Sequence, residues 1–346
     1  MAQYVDRIAF MLVLPESVFF YRNVLKHLDP GSYDLIMNPH PDLAALLKGQ
    51  GFKQAIPLER VLQDGIRYRC LVSEHYLGDG THHDLMKQVG ERNVRFMYAQ
   101  GKNLWNFAPW NRLYDLILCF GPYQAARLAF AESTVKVQMG YPRYDDYFTQ
   151  DLATGRIRQL LGCDPAKPTM VWLPTWKELS SLDRYREAMA DMARDWNVVV
   201  KPHPLSLTHE PARVAALRAL PFTKVVDETL DNLYLYAIAE RVVCDYGGTP
   251  FGALYLDRPL LLLNMPGAAQ HRETGEESAD VFLRETVINL DDPSPRALRG
   301  VLADEDAWSA QRQVRARLRE IFFAPYYGFS GQVAALVLEN LGNILG

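Results

Sequence analysis

The feature that most constrains this chain is an alternation that runs, pauses and restarts: short β-branched or aromatic runs, each followed by a longer stretch at helical spacing. Parallel βα units produce this pattern, because a strand covered by helices on both faces needs apolar side chains on both. Residues 8–14 form the first run, 16–28 follow with Val18, Tyr21, Val24 and Leu25 at helical spacing, and 33–37 and 42–48 repeat the pair. Further strands are expected at 70–73, 94–99, 116–120 and 135–139, with helices near 82–89 and 123–130. After 141–155 the pattern restarts with a helix at 156–161. Strands are then expected at 169–173, 197–201, 223–226, 241–245 and 260–263, and helices at 184–195, 211–219, 231–239 and 249–256. The tail reads as helices at 295–302, 307–321 and 331–345. This is an α/β chain of two Rossmann-type parallel-sheet domains facing a central cleft. The expected boundaries are 1–145, 146–328 and a C-terminal helix at 329–346 that packs back on the first domain.

At roughly 150 residues per domain, 346 residues accommodate two such domains, and 49% hydrophobic against 23% charged residues excludes a disordered or disulfide-stapled chain. The net charge of −4, from 37 basic and 41 acidic residues, gives no global attraction to nucleic acid or anionic lipid. Cys70, Cys119, Cys163 and Cys244 stand far apart without zinc spacing, so buried free thiols in a reducing compartment are expected. No secretion signal is visible, and no apolar stretch reaches the ~20 residues that span a bilayer. A cytoplasmic protein is expected, with peripheral contact on the inner membrane face left open.

In open α/β sheets ligands bind beyond the carboxyl ends of the strands, so the βα junctions are where chemistry is sought. The first is Asp245-Tyr246-Gly247-Gly248-Thr249-Pro250, where a strand runs into two glycines and a helix. Glycines permit close backbone approach, Thr249 can cap the helix, and amides of Gly248 and Thr249 would face a diphosphate. The bland alternative is a tight turn with a capped helix. The second junction, Lys201-Pro202-His203-Pro204, fixes an imidazole between prolines, suited to bonding phosphate oxygens or moving a proton. Arg143 in Gly140-Tyr141-Pro142-Arg143, and Thr175 and Trp176 in Leu173-Pro174-Thr175-Trp176-Lys177, also sit at strand ends. Trp176 reads equally as core packing or as a stacking surface for a nucleobase. Residues 264–278 are long for a βα connection and form a candidate mobile loop.

Taken together and in this order, GYPR at 140–143, LPTW at 173–176, KPHP at 201–204, DYGGTPFGALYLDRP at 245–259 and Gly328-Phe329-Ser330 resemble the CDP-glycerol glycerophosphotransferase family of teichoic-acid and capsule polymer synthases. The resemblance covers chiefly 135–335 and implies a GT-B-like fold with an N-terminal acceptor-side domain and a C-terminal nucleotide-donor domain. It implies diphosphate binding by His203 and by Asp245, Gly247, Gly248 and Thr249, with Lys201 or Arg143 assisting. The implied reaction moves glycerol phosphate, or a related polyol phosphate, from a CDP-activated donor to a hydroxyl of a glycopolymer or lipid-linked primer, releasing CMP. With no DxD element at a strand end, charge neutralisation by the protein is expected, without a resident metal or other cofactor.

Two departures matter. The family carries two serines where this chain has Gly247-Gly248, and a Ser-Gly-Gly turn is also how UDP-N-acetylglucosamine 2-epimerases read. The family's His-Gly element, the acceptor-side base, is replaced here by Tyr98-Ala99-Gln100-Gly101-Lys102, and an amide cannot take a proton. Gln100 and Lys102 are retained as candidate binding residues. A substitute base is sought in 74–84, where His75 comes first, then Asp79 and His83. Arg312, Arg315 and Arg319 share one helix face, read as a solvated surface or as an anionic-acceptor patch. Two other functions stay open: an epimerase or glycosyltransferase using a UDP- or CMP-sugar, and a non-catalytic nucleotide-binding partner in capsule synthesis.

Overall fold

The computed structural model describes residues 3–38, 43–75, 77, 83–101 and 103–346. The chain divides into two compact units: Met1–Tyr98 with Phe107–Thr149 and Ile321–Gly346, and Ala99–Asn106 with Gln150–Glu320.

In the first unit, strands β1 (Gln3–Leu12), β2 (Tyr33–Met37), β3 (Ile56–Pro57), β4 (Ile66–Ser73), β5 (Gly90–Phe96), β6 (Leu116–Cys119) and β7 (Val135–Gln138) form one parallel sheet. Its order is β3-β2-β1-β4-β5-β6-β7. The central strands are apolar on both faces, as a sheet sandwiched by helices requires: Ile8 to Leu12, Cys70 to Val72 and Leu116 to Cys119 are almost wholly buried. The helix Ser17–Leu25 is buried along its whole length. The C-terminal helix Ser330–Glu339 packs on it, and a Cβ on Gly331 would lie 2.3 Å from the carbonyl oxygen of Asn23, so only glycine permits the approach.

The second unit holds β8 (Thr169–Leu173), β9 (Asn197–Val200), β10 (Lys224–Val225), β11 (Arg241–Cys244), β12 (Leu260–Leu263) and β13 (Asn289–Leu290). They form a parallel sheet in the order β10-β9-β8-β11-β12-β13. Its core gathers Met170, Trp172, Tyr185, Val198, Val243 and Leu261. Trp172 is fully buried and its indole N–H donates to Ser181 Oγ at 3.0 Å, so burial leaves no indole donor unsatisfied. Among the described residues no helix is long and apolar enough to cross a membrane. The four cysteines are free thiols, three of them buried.

Most expected elements appear near their expected bounds, with differences at the edges. The strand expected at 94–99 is β5, Gly90–Phe96, and ends before the segment where the resemblance looks for a base. The edge strands β3, β10 and β13 are two residues each, too short to leave a hydrophobic run, and β3 and β13 escape the sequence reading. The expected tail helix is broken at Asn340 into Ser330–Glu339 and Leu341–Leu345.

Candidate functional site

In the second unit, the loops after β8, β9, β11 and β12 meet at the carboxyl edge of the sheet. Asp245, first residue past β11, is fully buried. Its Oδ1 accepts from the amides of Thr175 (2.7 Å) and Tyr246 (2.7 Å), and its Oδ2 from the amide (2.7 Å) and hydroxyl (2.8 Å) of Ser181. Burial pushes this carboxyl up to about 6, against the pull of those donors. With both oxygens used by its own chain, Asp245 ties the loop after β8 to the end of β11. Three amides and one hydroxyl fill its lone pairs, so what the geometry supports for Asp245 is a positioning role at the strand end where the resemblance places a diphosphate.

His203 caps the helix Pro204–His209: its Nδ1 accepts from the Leu205 amide at 3.1 Å. That bond fixes the tautomer, because an accepting Nδ1 leaves the neutral ring's proton on Nε2. The ring stacks on Trp176 with centroids 5.8 Å apart and planes 14° from parallel, and Lys177 Nζ lies 4.1 Å from the Trp176 centroid. Trp176 is therefore a wall shared with a histidine and a lysine. Thr175, Trp176 and Lys177 line a pocket with Gly247, His271 and Thr274. Lys177 adopts φ +58°, a left-handed backbone uncommon for a side-chain-bearing residue and costing about 1–2 kcal/mol. Lys201 is half-buried at the end of β9, held through its amide to Trp172 O at 2.9 Å.

The glycine turn is built differently from the expectation. Gly247 has φ +102°, which explains glycine there, and its amide donates to Asp280 Oδ1 at 2.8 Å. The amide at Gly247 thus already serves a carboxylate. The helix Thr249–Tyr255 starts after Gly248 without a side-chain cap, and the Thr249 hydroxyl instead donates to Leu173 O at 3.2 Å. The expected Thr249 cap is corrected: with Gly248 already helical, the hydroxyl reaches back across the sheet to β8. Against this turn lies Ala99–Gly101. A Cβ on Gly101 would come within 2.7 Å of both Asp280 Oδ2 and Gly247 O, and Gln100 is fully buried beside it. The segment replacing the family's His-Gly element therefore packs within the second unit, and the buried Gln100 lies away from solvent.

In the first unit, Glu74 and His75 follow β4. Glu74 is fully buried; Ser17 Oγ donates to its Oε1, and that oxygen is 3.5 Å from His75 Nδ1. The His75 ring stacks on Tyr98, centroids 4.6 Å apart at 26°, and its side chain remains 23% exposed. Arg143 also belongs to this unit. It is 9% exposed, and its guanidinium lies 4.9 Å from the Phe20 centroid and 5.5 Å from that of Tyr144. The GYPR and Gly-Phe-Ser elements meet in this unit: Ser330 Oγ accepts from the Tyr141 amide at 3.0 Å, and Asn23 Nδ2 donates to Pro142 O at 2.8 Å. Asp145 closes that joint by accepting from the amides of Ser330 (3.2 Å) and Gly331 (2.6 Å).

The structure thus brings together Thr175, Trp176, His203, Asp245 and Gly247, with Gly248 and Thr249 following in the same turn. His75 and Arg143 stand in the other unit, and Asp79 and Lys102 lie outside the described residues. The His83 side chain is likewise outside them. Of the arginine trio, Arg315 is buried with its Nε 2.8 Å from Asp257 Oδ1, a structural pair rather than part of a surface patch. Sequence reasoning singled out neither Glu74, His271 nor Thr274, whose loops carry no periodicity, and took Lys177 only as part of the 173–177 segment; the long 264–278 connection was the one signal pointing to His271 and Thr274. Among the described residues no group of three or more His, Cys, Asp or Glu could hold a metal ion.

Residues 123–270 match the family described as CDP-glycerol:poly(glycerophosphate) glycerophosphotransferase. No curated protein matches the chain in sequence. Among solved structures, a variant of the wall teichoic acid polymerase TagF soaked with CDPG superposes with a TM-score of 0.70 at 13% identity, covering 98% of this chain and 90% of that one. A putative UDP-N-acetylglucosamine 2-epimerase from Listeria monocytogenes gives 0.64 at 12% identity, with 98% of each chain covered. UDP-GlcNAc 2-epimerase from Neisseria meningitidis bound to UDP-GlcNAc gives 0.61 at 11%, covering 97% of this chain and all (100%) of that one. The fold is GT-B-like, two parallel-sheet α/β domains, and the chain resembles glycerophosphotransferase-type enzymes.

Proposed function

We propose that this chain transfers glycerol phosphate, or a related polyol phosphate, from a CDP-activated donor to a hydroxyl of a glycopolymer or lipid-linked primer, with release of CMP. The observation that carries the reading is the fixed tautomer of His203, whose Nδ1 is spent on Leu205, beside Trp176 and the Gly247 turn in the stretch that matches the family. An Nε2–H held by a helix cap and a stacked indole is a preorganised donor for a diphosphate oxygen. The acceptor oxygen attacks the β-phosphorus, the bond from that phosphorus to the CMP oxygen breaks, and CMP carries the electron pair away. His203 Nε2, Lys201 and Lys177 offset the charge gathering on the bridging and terminal oxygens. His75 of the first unit takes the acceptor's proton. Gln100, buried, has no part in that transfer.

The test is a direct assay of CMP formation from CDP-glycerol, beside thermal shifts with CMP, CDP-glycerol, UDP and UDP-GlcNAc. Stabilisation by the cytidine compounds with CMP formed in the presence of a polyol-phosphate acceptor is the expected result. One observation favours a second reading: Gly247-Gly248 and nearly end-to-end superposition on 2-epimerases fit a UDP-sugar. Stabilisation by UDP-GlcNAc alone would select it.

A further inference from the structure

The recess beside Gly247 has a lining that a diphosphate does not suit. It lies within the second unit, between the loop after β8 and the long connection after β12. Its carboxyl groups, from Glu178, Glu273 and Asp280, outnumber its one ammonium, that of Lys177. Such a lining repels a group of like charge. Its aromatic rings are engaged as well. Tyr246 is 5% exposed with the Arg284 guanidinium 3.7 Å from its centroid, and Trp176 carries the His203 ring and, at 4.1 Å, Lys177 Nζ. A cationic guest would meet positive charges already seated on both rings. What the recess has left to offer is hydrogen bonding to an uncharged, hydroxyl-bearing group.

The space in front of the glycine turn is open: chain neighbours apart, a Cβ on Gly247 would meet nothing nearer than Thr175 Oγ1, at 3.9 Å. Thr175 is buried and its amide is held by Asp245, so the backbone carrying that hydroxyl is fixed at the border of the space. Thr274 lines the same recess, is 2% exposed, and has a hydroxyl without a hydrogen-bond partner among the described residues. An unmet buried hydroxyl destabilises the fold until a ligand meets it. The segment around it is preset. The His271 carbonyl accepts from the amides of Thr274 (3.1 Å) and Gly275 (2.9 Å), and His271 Nδ1 accepts from the Glu273 amide at 3.3 Å. As at His203, an accepting Nδ1 leaves the neutral ring's proton on Nε2. Hydroxyls, carboxylate oxygens and an imidazole N–H together can both give and take the hydrogen bonds of an alcohol.

We infer that this recess binds the polyol of the CDP-activated donor, with Glu273 and Thr274 as the residues that select it; this rests on the transferase reading above. Hydroxyl groups of the polyol donate to the half-buried Glu273 carboxylate and bond the Thr274 hydroxyl and His271 Nε2–H. The diphosphate stays outside, against His203 and Lys201. Trp176 belongs to both places, since it lines the recess and carries the His203 ring. The wall that reads the polyol lies just past residues 123–270, the stretch that matches the family, so it is a feature of this chain rather than of the shared pattern.

The experiment titrates wild type, Glu273→Gln and Thr274→Val with CMP, CDP, CDP-glycerol and CDP-ethanolamine, reading Kd by calorimetry and the melting temperature of each protein. Glu273→Gln is expected to weaken CDP-glycerol about tenfold, the loss of one hydrogen bond to a charged group, and Thr274→Val a few-fold. CMP and CDP carry the ribose and the phosphates without the polyol, so their Kd should stay within about twofold of wild type in both variants. Equal weakening of CDP and CDP-glycerol would give the recess to the nucleotide and overturn the inference. Unchanged CDP-glycerol affinity in both variants would do the same, as would a larger loss for CDP-ethanolamine, which puts an ammonium where glycerol has hydroxyls. Should one variant not fold, the other decides alone. These outcomes leave the transferase reading standing, whereas wild type that binds none of the four compounds removes that reading itself.

Discussion

Glu74 and Asp245 hold the same place in two sheets. Each is the first residue beyond a strand, β4 or β11, that pairs with the opening strand of its sheet, β1 or β8, and each is fully buried. Their surroundings differ in one respect. Asp245 accepts four hydrogen bonds from its own chain, three from backbone amides, so its charge is spent on architecture. Glu74 accepts one from Ser17, has an oxygen without a donor among the described residues, and lies 3.5 Å from an imidazole nitrogen. One topological position therefore carries two carboxyl groups that differ in how fully the described residues satisfy them.

The contrast breaks first on stability. Asp245→Asn places an amide NH2 where either Thr175 and Tyr246 or Ser181 donate, so two donors face a donor; a loss of about 3–5 kcal/mol in urea unfolding is expected. Glu74→Gln removes a buried, half-satisfied charge and should stay within about 1 kcal/mol of wild type. Equal losses for the two would erase the distinction drawn here.

The next effect is on turnover. His203→Ala removes the Nε2–H donor and the cap on Pro204–His209, and is expected to cut CMP formation about 100-fold, equivalent to about 2.7 kcal/mol, with the cap itself costing about 1 kcal/mol of stability. Full activity in this variant would take the donor site away from the Trp176 wall.

Asp145 gives a third buried carboxylate to set beside the other two. Burial pushes it up to about 7, against the amides of Gly331 and Ser330 that pull it down. Its folded value exceeds the unfolded one, so the native state keeps a proton that the unfolded chain releases. The resulting stability is whole below about 4 and is lost as pH rises through about 7. Asp145→Asn lacks that slope. Between pH 5 and pH 7 the stability difference should therefore move in the variant's favour by about 2 kcal/mol in urea titrations. An unchanged difference would mean that the amides of the C-terminal helix hold Asp145 as tightly as those around Asp245 would hold a charged acid.

Much of this architecture is legible in the sequence because buried parallel strands need continuous apolar runs: the runs at 8–12, 116–119, 197–200 and 241–244 all become sheet interior. The strand-end motifs were legible as places, because glycines and prolines mark where the backbone turns. Their roles were less so. Arg143 and Asp245 read as ligands for an anion, yet one lies over aromatic rings and the other is saturated by amides that no spacing reveals. Glu74 was passed over for the opposite reason: a lone acid in a polar, glycine-rich stretch looks solvated until Ser17, 57 positions away, is found against it. Lys177 and Thr274 come to one pocket from separate loops, a meeting set by tertiary packing alone.

Thr274 carries the smallest expected effect and sharpens the comparison most finely, since it repeats the Glu74 signature in a neutral group. It is 2% exposed, lines the pocket beside Gly247, and its hydroxyl has no hydrogen-bond partner among the described residues. The loop around it is held by other bonds: its amide donates to His271 O at 3.1 Å, and His271 Nδ1 accepts from the Glu273 amide at 3.3 Å. Thr274→Val keeps the shape and removes an unsatisfied hydroxyl, so stability should be unchanged or higher by under about 1 kcal/mol. If that hydroxyl waits for the polyol or phosphate of the donor, KM for CDP-glycerol should rise a few-fold, by the roughly 1 kcal/mol of one neutral hydrogen bond, with kcat retained. A lower melting temperature with unchanged KM would show the hydroxyl bonded within the fold. A buried hydroxyl without a described partner would then cease to mark a ligand position in this pocket.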